Sequence, residues 1–432
     1  MVGSRTKRFT ESLIIWGLAS IFYLYEVVLR VSPSVMTNDL MCHYGITAGM
    51  LGIMISCFYY PYALLQLPCG LILDKIGPRN LIGFSVILSV VGSILFALTK
   101  HVYVAQLGRC FVGAGAACAF VSCLQIASVV FSSKYFAIFT GITNMMGTMG
   151  GLCAGFPLAM CVNAIGWQDT IFVLASIGAF IALLVFLIVP RTVTMQKKTG
   201  DYSAFLSTFV KVIKNKQIIL LGLVGGCMYL PISVFSELWA VPFFMTKYNV
   251  GSETASLASS VIFVGFALGS VPVAMVAKRL NGYVRTMRFS IIGVALLFIP
   301  LIYVNNVLLS FVILFLIGVL TSGEILVFVC AKNNESPQNA GTAIAFSNGI
   351  LMLIGSVFQP ILGVLLDVFW TGEFSEQGMR IYEISCYQMA ILTLPVCLAI
   401  AYVLSLFVKE TISVELPNAL ASHGEYLKTK SA

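Results

Sequence analysis

The chain has 432 residues, of which 59% are apolar and only 10% are charged, with a mean hydropathy of +0.98. A soluble domain carries about 25% charged residues, so this composition excludes a water-soluble enzyme. The net charge of +8 is spread over short segments between apolar runs. It therefore favours a membrane surface as the partner of these cations and argues against a nucleic acid.

The twelve apolar runs predict an all-α polytopic membrane protein with twelve spanning helices, since about 20 apolar residues cross the hydrocarbon. The predicted helices lie at about 12–37, 45–73, 80–98, 102–130, 135–162, 167–190, 217–246, 254–277, 287–304, 307–331, 338–367 and 384–408.

The distribution of Lys and Arg predicts the orientation in the membrane. If the N-terminus is inside, 20 of the 25 lie in inner segments, three lie in outer segments and two lie within helices. By the positive-inside rule both termini are expected to be cytoplasmic. We expect a multi-pass membrane protein.

The longest predicted connection divides the chain into two bundles of six helices. We assign residues 1–190 to an N-terminal bundle, 191–216 to a basic cytoplasmic linker, 217–408 to a C-terminal bundle and 409–432 to a cytoplasmic tail. Within the linker, apolar residues at helical spacing predict an amphipathic helix on the inner membrane surface: Phe205, Leu206, Phe209, Val210 and Ile213.

The two bundles also repeat in sequence. A shift of 204 residues superposes Asp74-Lys75 on Lys278-Arg279, Thr143-Asn144 on Ser347-Asn348, and Gly151 on Gly355. Duplicated six-helix halves are typical of transporters, which place their substrate site between the halves near the midplane.

Most of the twelve cysteines lie inside apolar runs, no CxxC occurs, and the chain has three histidines. This pattern predicts neither a disulfide framework nor a metal site. No phosphate-binding loop of the G-x-x-x-x-G-K-(S/T) type occurs, so ATP is not the expected energy source. We expect no cofactor and no enzyme activity.

Two motifs carry a family resemblance. Between the second and third predicted helices lies the stretch Gly70-Leu-Ile-Leu-Asp74-Lys75-Ile-Gly77-Pro78-Arg79, where the glycines would allow close helix approach and an unusual backbone angle. In the fourth helix lies Arg109-Cys-Phe-Val-Gly113-Ala-Gly115. Both motifs, with the 6+6 division, resemble the major facilitator superfamily of secondary transporters. Within that family the chain most resembles a bacterial inner-membrane member.

The resemblance implies a latch and a coupling residue. Asp74 and Arg79 are expected to hold the cytoplasmic edge against the other half, with Asp74 facing the N-terminal end of helix 11 near Gly341-Thr342. Gly70, Lys75 and Gly77 belong to the same motif. Pro78 stands where the family commonly has a cation, and the second-half copy, 274–283, lacks the Asp.

Ionisable residues inside spanning helices by default mark a solute or proton path, because they are costly in lipid. Glu26 and Arg30 lie four residues apart on one face of helix 1, in a stretch that also supplies the Tyr23 hydroxyl and a proline. Two interpretations remain open. The first is an internal ion pair. The second is a pair facing the cavity that helices 1, 4, 7 and 10 line in this family, with Glu26 taking protons and Arg30 contacting an anionic group.

Arg109 likewise has two interpretations. The family resemblance implies proton coupling, and the alternative is a charge that satisfies helix-end carbonyls. Glu237 and Glu324 are candidates for a proton site or a substrate pocket, and a protonated, hydrogen-bonded Glu is the alternative for each. Asn144 and Asn348 are weaker candidates, since buried amides also join helices.

The sequence therefore predicts a proton-coupled transporter, working as a monomer by alternating access, for a small polar or zwitterionic solute such as an amino acid, peptide or organic acid. We favour a symporter that takes its solute up. A glycine-rich helix 5 with a Gly-Pro step is typical of drug antiporters, but this chain has Gly155-Phe156-Pro157 instead. An exporter of drugs or metabolites stays the first alternative, and a non-transporting membrane receptor the second.

Overall fold

A computed structural model describes residues 2–130, 133–190, 209–336, 339–376 and 378–410 of the chain. Within these ranges, the side chains of residues 2–12, 67, 71, 74, 129–130 and 133–137 are not described. The predicted amphipathic linker helix therefore lies mostly outside the described residues, which begin again at Phe209 with one helical turn and a half.

Twelve helices in the described ranges are long and apolar enough to cross a membrane, as the sequence predicts. A helix satisfies its own backbone hydrogen bonds, which is the condition for crossing hydrocarbon. We label them α1 Leu13–Val35, α2 Ala48–Gln66, α3 Lys75–Leu98, α4 Val102–Ser128, α5 Ile138–Ile165, α6 Trp167–Ile188, α7 Lys216–Tyr248, α8 Ser252–Arg279, α9 Tyr283–Tyr303, α10 Val307–Asn333, α11 Ala340–Val368 and α12 Ile384–Ser405.

Three of the spans change helical type along their length. The regular helix of α1 ends at Val31 and continues as the 3₁₀ turn Ser32–Val35, α7 is π-helical over Pro231–Trp239, and α10 has a 3₁₀ turn at Ser322–Glu324. Such segments often mark functional sites, because they re-aim side chains and free backbone groups.

Other spans consist of two helices joined by a turn. These are α2 (Ala48–Ser56, then a helix from Tyr59), α4 (Val102–Ala116 and Ala119–Val130), α5 (Ser133–Cys153 and Phe156–Ile165) and α12 (Ile384–Ile391 and Thr393–Ser405). A short helix, Thr37–Tyr44, follows α1.

The junction between α2 and α3 differs from the prediction. The sequence suggests a loop over 74–79, but the backbone is helical over Tyr59–Leu98 apart from Gly77, with φ 76° and ψ 163°. A single residue turns the chain because glycine alone tolerates this conformation readily. The expected unusual angle is therefore present at Gly77, in a shorter turn than predicted.

We group the helices into the two predicted bundles, α1–α6 and α7–α12, which we call the halves. Across the halves α2 packs against α11, α5 packs against α8, and the 3₁₀ turn of α1 packs against the π-helical part of α7. We call the end with residues 36–47 and 369–383 the outer end and the opposite end the inner end, following the orientation that the charge distribution predicts.

Candidate functional site

Helix α1 breaks next to the residues that the sequence singles out. Pro33 has no backbone N–H, so the carbonyl of Leu29, four residues earlier, loses its partner within the helix. The Ser32 hydroxyl donates to this carbonyl at 3.0 Å. The break leaves backbone acceptors in the middle of the N-terminal half, where they need donors from elsewhere.

Arg109 on α4 supplies those donors. Its Nη1 donates to the Leu29 carbonyl at 3.0 Å and its Nη2 donates to the Arg30 carbonyl at 3.3 Å. The guanidinium also lies over the Phe58 ring, 5.3 Å from its centroid. These contacts agree with one of the two interpretations of Arg109, a charge that satisfies helix-end carbonyls. The two hydrogen bonds also hold the backbone of α1 at Arg30.

The side chain of Arg30 reaches across to the C-terminal half. Its Nη2 lies 3.1 Å from Oε1 of Glu237 on α7, and both side chains are buried, with 9% and 1% exposed. The Tyr59 hydroxyl donates to the other carboxylate oxygen of Glu237. Gln359 on α11 donates to the Tyr59 oxygen at 3.4 Å. Residues of α1, α2, α7 and α11 thus form one connected cluster around the Glu237 carboxylate.

Glu26 and Arg30 share a face of α1, as predicted, but they do not form the internal ion pair. The Ser89 hydroxyl on α3 donates to Glu26 Oε1 at 2.6 Å, while Glu26 Oε2 is buried without a hydrogen-bond partner. The pair does not form because Glu26 is directed to α3 and Arg30 to α7.

Both residues nevertheless line one small cavity, with room for about one water molecule. Its walls come from α1, α2 and α4: Tyr23, Glu26, Val27, Arg30, Phe58, Tyr62 and Ala116. Tyr23, a predicted candidate, therefore lies beside the charged pair. In this conformation the cavity is too small for an organic solute.

The remaining candidates are not among the residues that line this cavity. Glu324 is buried at the 3₁₀ turn of α10. Asn348 on α11 donates to Gln66 on α2 at 2.8 Å and so joins the halves. Asn144, its partner in the sequence repeat, is exposed. The structure brings Glu26, Arg30, Arg109, Glu237 and Tyr23 together and leaves Asn144 out.

Sequence reasoning missed two contacting residues, Tyr59 and Ser89. A signal for Ser89 exists, because Ser85, Ser89 and Ser93 recur every four residues in an otherwise apolar run, and all three are buried on α3. For Tyr59 nothing in the local pattern indicates a partner in the other half.

The predicted latch residues are only partly placed. Arg79 donates to the Phe186 carbonyl at 2.5 Å and lies over the Phe186 ring, and both of these contacts lie within its own half. The Asp74 side chain lies outside the described part. A side chain at Gly70 would meet its nearest described neighbour, Gln125 Oε1, at an ordinary 3.7 Å. Close helix approach, which we expected there, does not occur at Gly70 among the described residues.

Comparison with known proteins decides the family. The sequence profile of the Major Facilitator Superfamily matches residues 14–360, which is most of the chain. The chain belongs to this superfamily. Twelve spans and relatives from bacterial inner membranes make it a multi-pass inner-membrane protein.

Three curated relatives have names that specify transport. The "Probable sulfoacetate transporter SauU" of Cupriavidus necator is 25% identical over 172 residues, 40% of each chain. "Inner membrane transport protein YajR" of Escherichia coli is 27% identical over 238 residues, 52% of this chain and 49% of the relative. The "Probable L-galactonate transporter" of Escherichia coli is 23% identical over 303 residues, which are 65% of this chain and 62% of the relative. The chain thus aligns with less than two thirds of the length of each.

A solved structure shares the fold. A bacterial homologue of the human lysosomal transporter Spinster, in an inward-facing and unoccupied conformation, superposes with a TM-score of 0.78. The match covers 91% of this chain and 96% of that one at 15% sequence identity.

Proposed function

We propose that this protein is a proton-coupled secondary transporter that takes up a small organic acid in its anionic form by alternating access. Arg30 binds the anionic group of the solute, and Glu237 carries the coupled proton. The observation that carries the proposal is the buried ion pair between them. Among the described ion pairs, it alone joins the two halves of the protein.

The first step of the argument concerns competition for Arg30. A guanidinium binds a carboxylate or sulfonate through paired, charge-assisted hydrogen bonds. Glu237 already holds one side of Arg30, so an incoming anion competes with it. A solute with a carboxylate is therefore recognised by the same chemistry that holds the closed site together.

The second step concerns the proton. Removing Arg30 from an ionised Glu237 would leave a buried, unpaired charge, which costs roughly 3–5 kcal/mol. Protonation of Glu237 removes that cost, and the Tyr59 hydroxyl stays available as its neighbour. Anion binding at Arg30 thus favours proton uptake at Glu237, which is coupling in the direction of symport.

The third step concerns the two halves. Arg30 lies on α1 and Glu237 on α7, so exchanging their contact for a solute changes what joins the halves. A few kcal/mol suffices to move such an equilibrium between two states. This placement of the proton on Glu237 replaces our earlier expectation for Glu26, whose contact lies within its own half.

Two relatives support an acid as the solute. Their names specify sulfoacetate and L-galactonate, and both of these compounds are anions at neutral pH. Amino acids and peptides carry a carboxylate as well, so they belong in the same test.

The test is uptake into liposomes with an imposed pH gradient. We expect an inward proton gradient to accelerate uptake of labelled sulfoacetate, galactonate or another organic acid. Glu237→Gln should remove the dependence on the gradient while keeping exchange of solute across the membrane at equal pH. Arg30→Ala should lose both the gradient-driven uptake and the exchange at equal pH, because the anion then has no cation to bind.

Glu373→Gln, a change of the same kind at an exposed outer site, is the matched control and should transport normally. Uptake that ignores the gradient in the unchanged protein would refute proton coupling. Accumulation of cationic or neutral drugs inside inverted vesicles, with no organic-acid flux, would support the exporter instead.

A further inference from the structure

At the outer end, Asp367 at the end of α11 caps the start of α2 in the other half. Its Oδ2 accepts the Gly49 N–H at 2.9 Å. The first N–H groups of a helix have no partner within it, and the helix dipole favours an anion there. A carboxylate from the C-terminal half thus completes a helix of the N-terminal half.

Two neighbours hold this carboxylate in place. The Tyr382 hydroxyl donates to Asp367 Oδ1 at 2.5 Å and accepts the Ala48 N–H at 3.0 Å. Arg380 Nη1 lies 3.2 Å from the same Oδ1, and its guanidinium lies 4.4 Å from the centroid of the Trp370 ring. Burial, and then the bond to Asp367, raises the pKa of Tyr382, so its hydroxyl stays protonated and can donate.

The backbones of α2 and α11 touch at this point. A side chain at Gly49 would lie 2.8 Å from Asp367 Oδ2, and one at Gly52 would lie 2.6 Å from the Pro360 Cα atom. Both distances are shorter than real contacts. The outer ends of these helices are therefore closed against each other in this conformation.

A second contact lies at the position that the sequence repeat predicts. The 204-residue shift that relates the halves takes Asn163 to Asp367, and it takes Ala48 and Gly49 to Ser252 and Glu253. Asn163, near the end of α5, donates to Glu253 Oε1 at 3.0 Å and accepts from Ser252 Oγ at 3.1 Å. The same place on the fifth helix of each half thus contacts the start of the second helix of the other.

We propose that these two contacts are a duplicated outer latch that stabilises the outer-closed state. The Asp367 contact is the stronger copy, because it pairs a carboxylate with a backbone N–H group. The Asn163 contact is the weaker copy, because it joins side chains only and Asn163 is exposed. Opening the outer end requires both to separate.

This inference rests on the alternating-access part of the proposed function, but its test needs neither solute nor proton gradient. The test is hydrogen–deuterium exchange by mass spectrometry on the full-length protein in lipid nanodiscs, with Asp367→Asn compared with the unchanged protein. Asp39→Asn, the same change at an exposed outer site, is the control.

In Asp367→Asn we expect exchange to rise about tenfold at residues 48–52, since a hydrogen bond to a charged group is lost. A latch predicts a second effect: exchange also rises at 252–256, on the opposite interface, because the halves separate as units. A rise at 48–52 alone would show a local helix cap and overturn the latch, as would no rise at all.

Two further variants keep the inference testable if Asp367→Asn fails to fold. Tyr382→Phe removes one donor to Asp367 and should give a smaller rise at both interfaces. Asn163→Asp places a carboxylate against Glu253 and should raise exchange at 252–256 by repulsion. Adding Glu253→Gln should reverse that rise, since an amide again faces a carboxylate. A rise that Glu253→Gln leaves unchanged would refute the Asn163 copy.

Discussion

At the scale of single residues, the site depends on which partner each charged side chain finds. Arg109 illustrates this, because its guanidinium donates to the carbonyls of Leu29 and Arg30 and forms no ion pair among the described residues. It positions Arg30 through the backbone. Under the proposed function, the residue that recognises the solute, Arg30, and the residue that holds its backbone in place, Arg109, are different arginines.

Arg109→Ala should lower both stability and uptake. Each hydrogen bond from a charged donor contributes about 1.5–3 kcal/mol, and the buried carbonyls would lose theirs. We expect a lower thermal unfolding midpoint and at least tenfold slower uptake in liposomes.

The second variant, Pro33→Ala in the Arg109→Ala background, separates the two interpretations of Arg109. It restores an N–H that can bond to the Leu29 carbonyl, so it should recover part of the lost stability and uptake. If uptake stays absent while stability returns, Arg109 acts on the proton and not on the backbone of α1.

At the scale of elements, breaks in helices do most to place the site. The 3₁₀ turn after Val31, the π-helical part of α7 and the turn at Gly77 each depart from a regular helix. Glu237 lies in the π-helical part, where the altered register aims it at Arg30. A regular α-helix through the same residues would point this side chain elsewhere.

Gly77→Ala tests the turn between α2 and α3. At φ 76° and ψ 163° any residue with a Cβ atom is strained by about 1–3 kcal/mol. The thermal unfolding midpoint in detergent should fall. Gly70→Ala is the matched control, since it lies in regular helix with room for a methyl group, and it should leave the midpoint unchanged or raise it. Equal midpoints for the two variants would mean that the turn adopts another conformation.

At the scale of the whole molecule, the described contacts place the outer end in a closed state. At the inner end, a side chain at Gly341, near the start of α11, would meet nothing among the described residues within 4 Å. The latch between Asp74 and this helix start stays a prediction of the family resemblance, and we expect it to form in the state in which the inner end is closed. Its second-half copy, Lys278-Arg279, has no carboxylate, so this latch should be one-sided.

Asp74→Asn should slow uptake more than it weakens solute binding, because it removes a contact made only in one state of the cycle. The measurements are initial uptake rates in liposomes and the stabilisation of purified protein by solute in a thermal-shift assay. Asp39→Asn serves again as the control. An equal loss of rate and affinity would place Asp74 in the binding step and contradict a latch.

The sequence by itself determined the membrane class, the twelve helices, the family and the set of intramembrane charges. These follow from local properties, since the length of an apolar run and the need for internal backbone hydrogen bonds act within each segment. Even the equivalence of Asn163 and Asp367 in the two halves is visible in the sequence repeat once the offset of 204 residues is known.

Only the tertiary structure decided the partners. Spacing placed Glu26 beside Arg30 on one face of α1, yet Glu26 bonds to Ser89 and Arg30 pairs with Glu237. The partner of a buried charge depends on how each helix is rotated about its axis and which neighbour faces it. That rotation is set by packing across the whole bundle, which no single stretch of sequence contains.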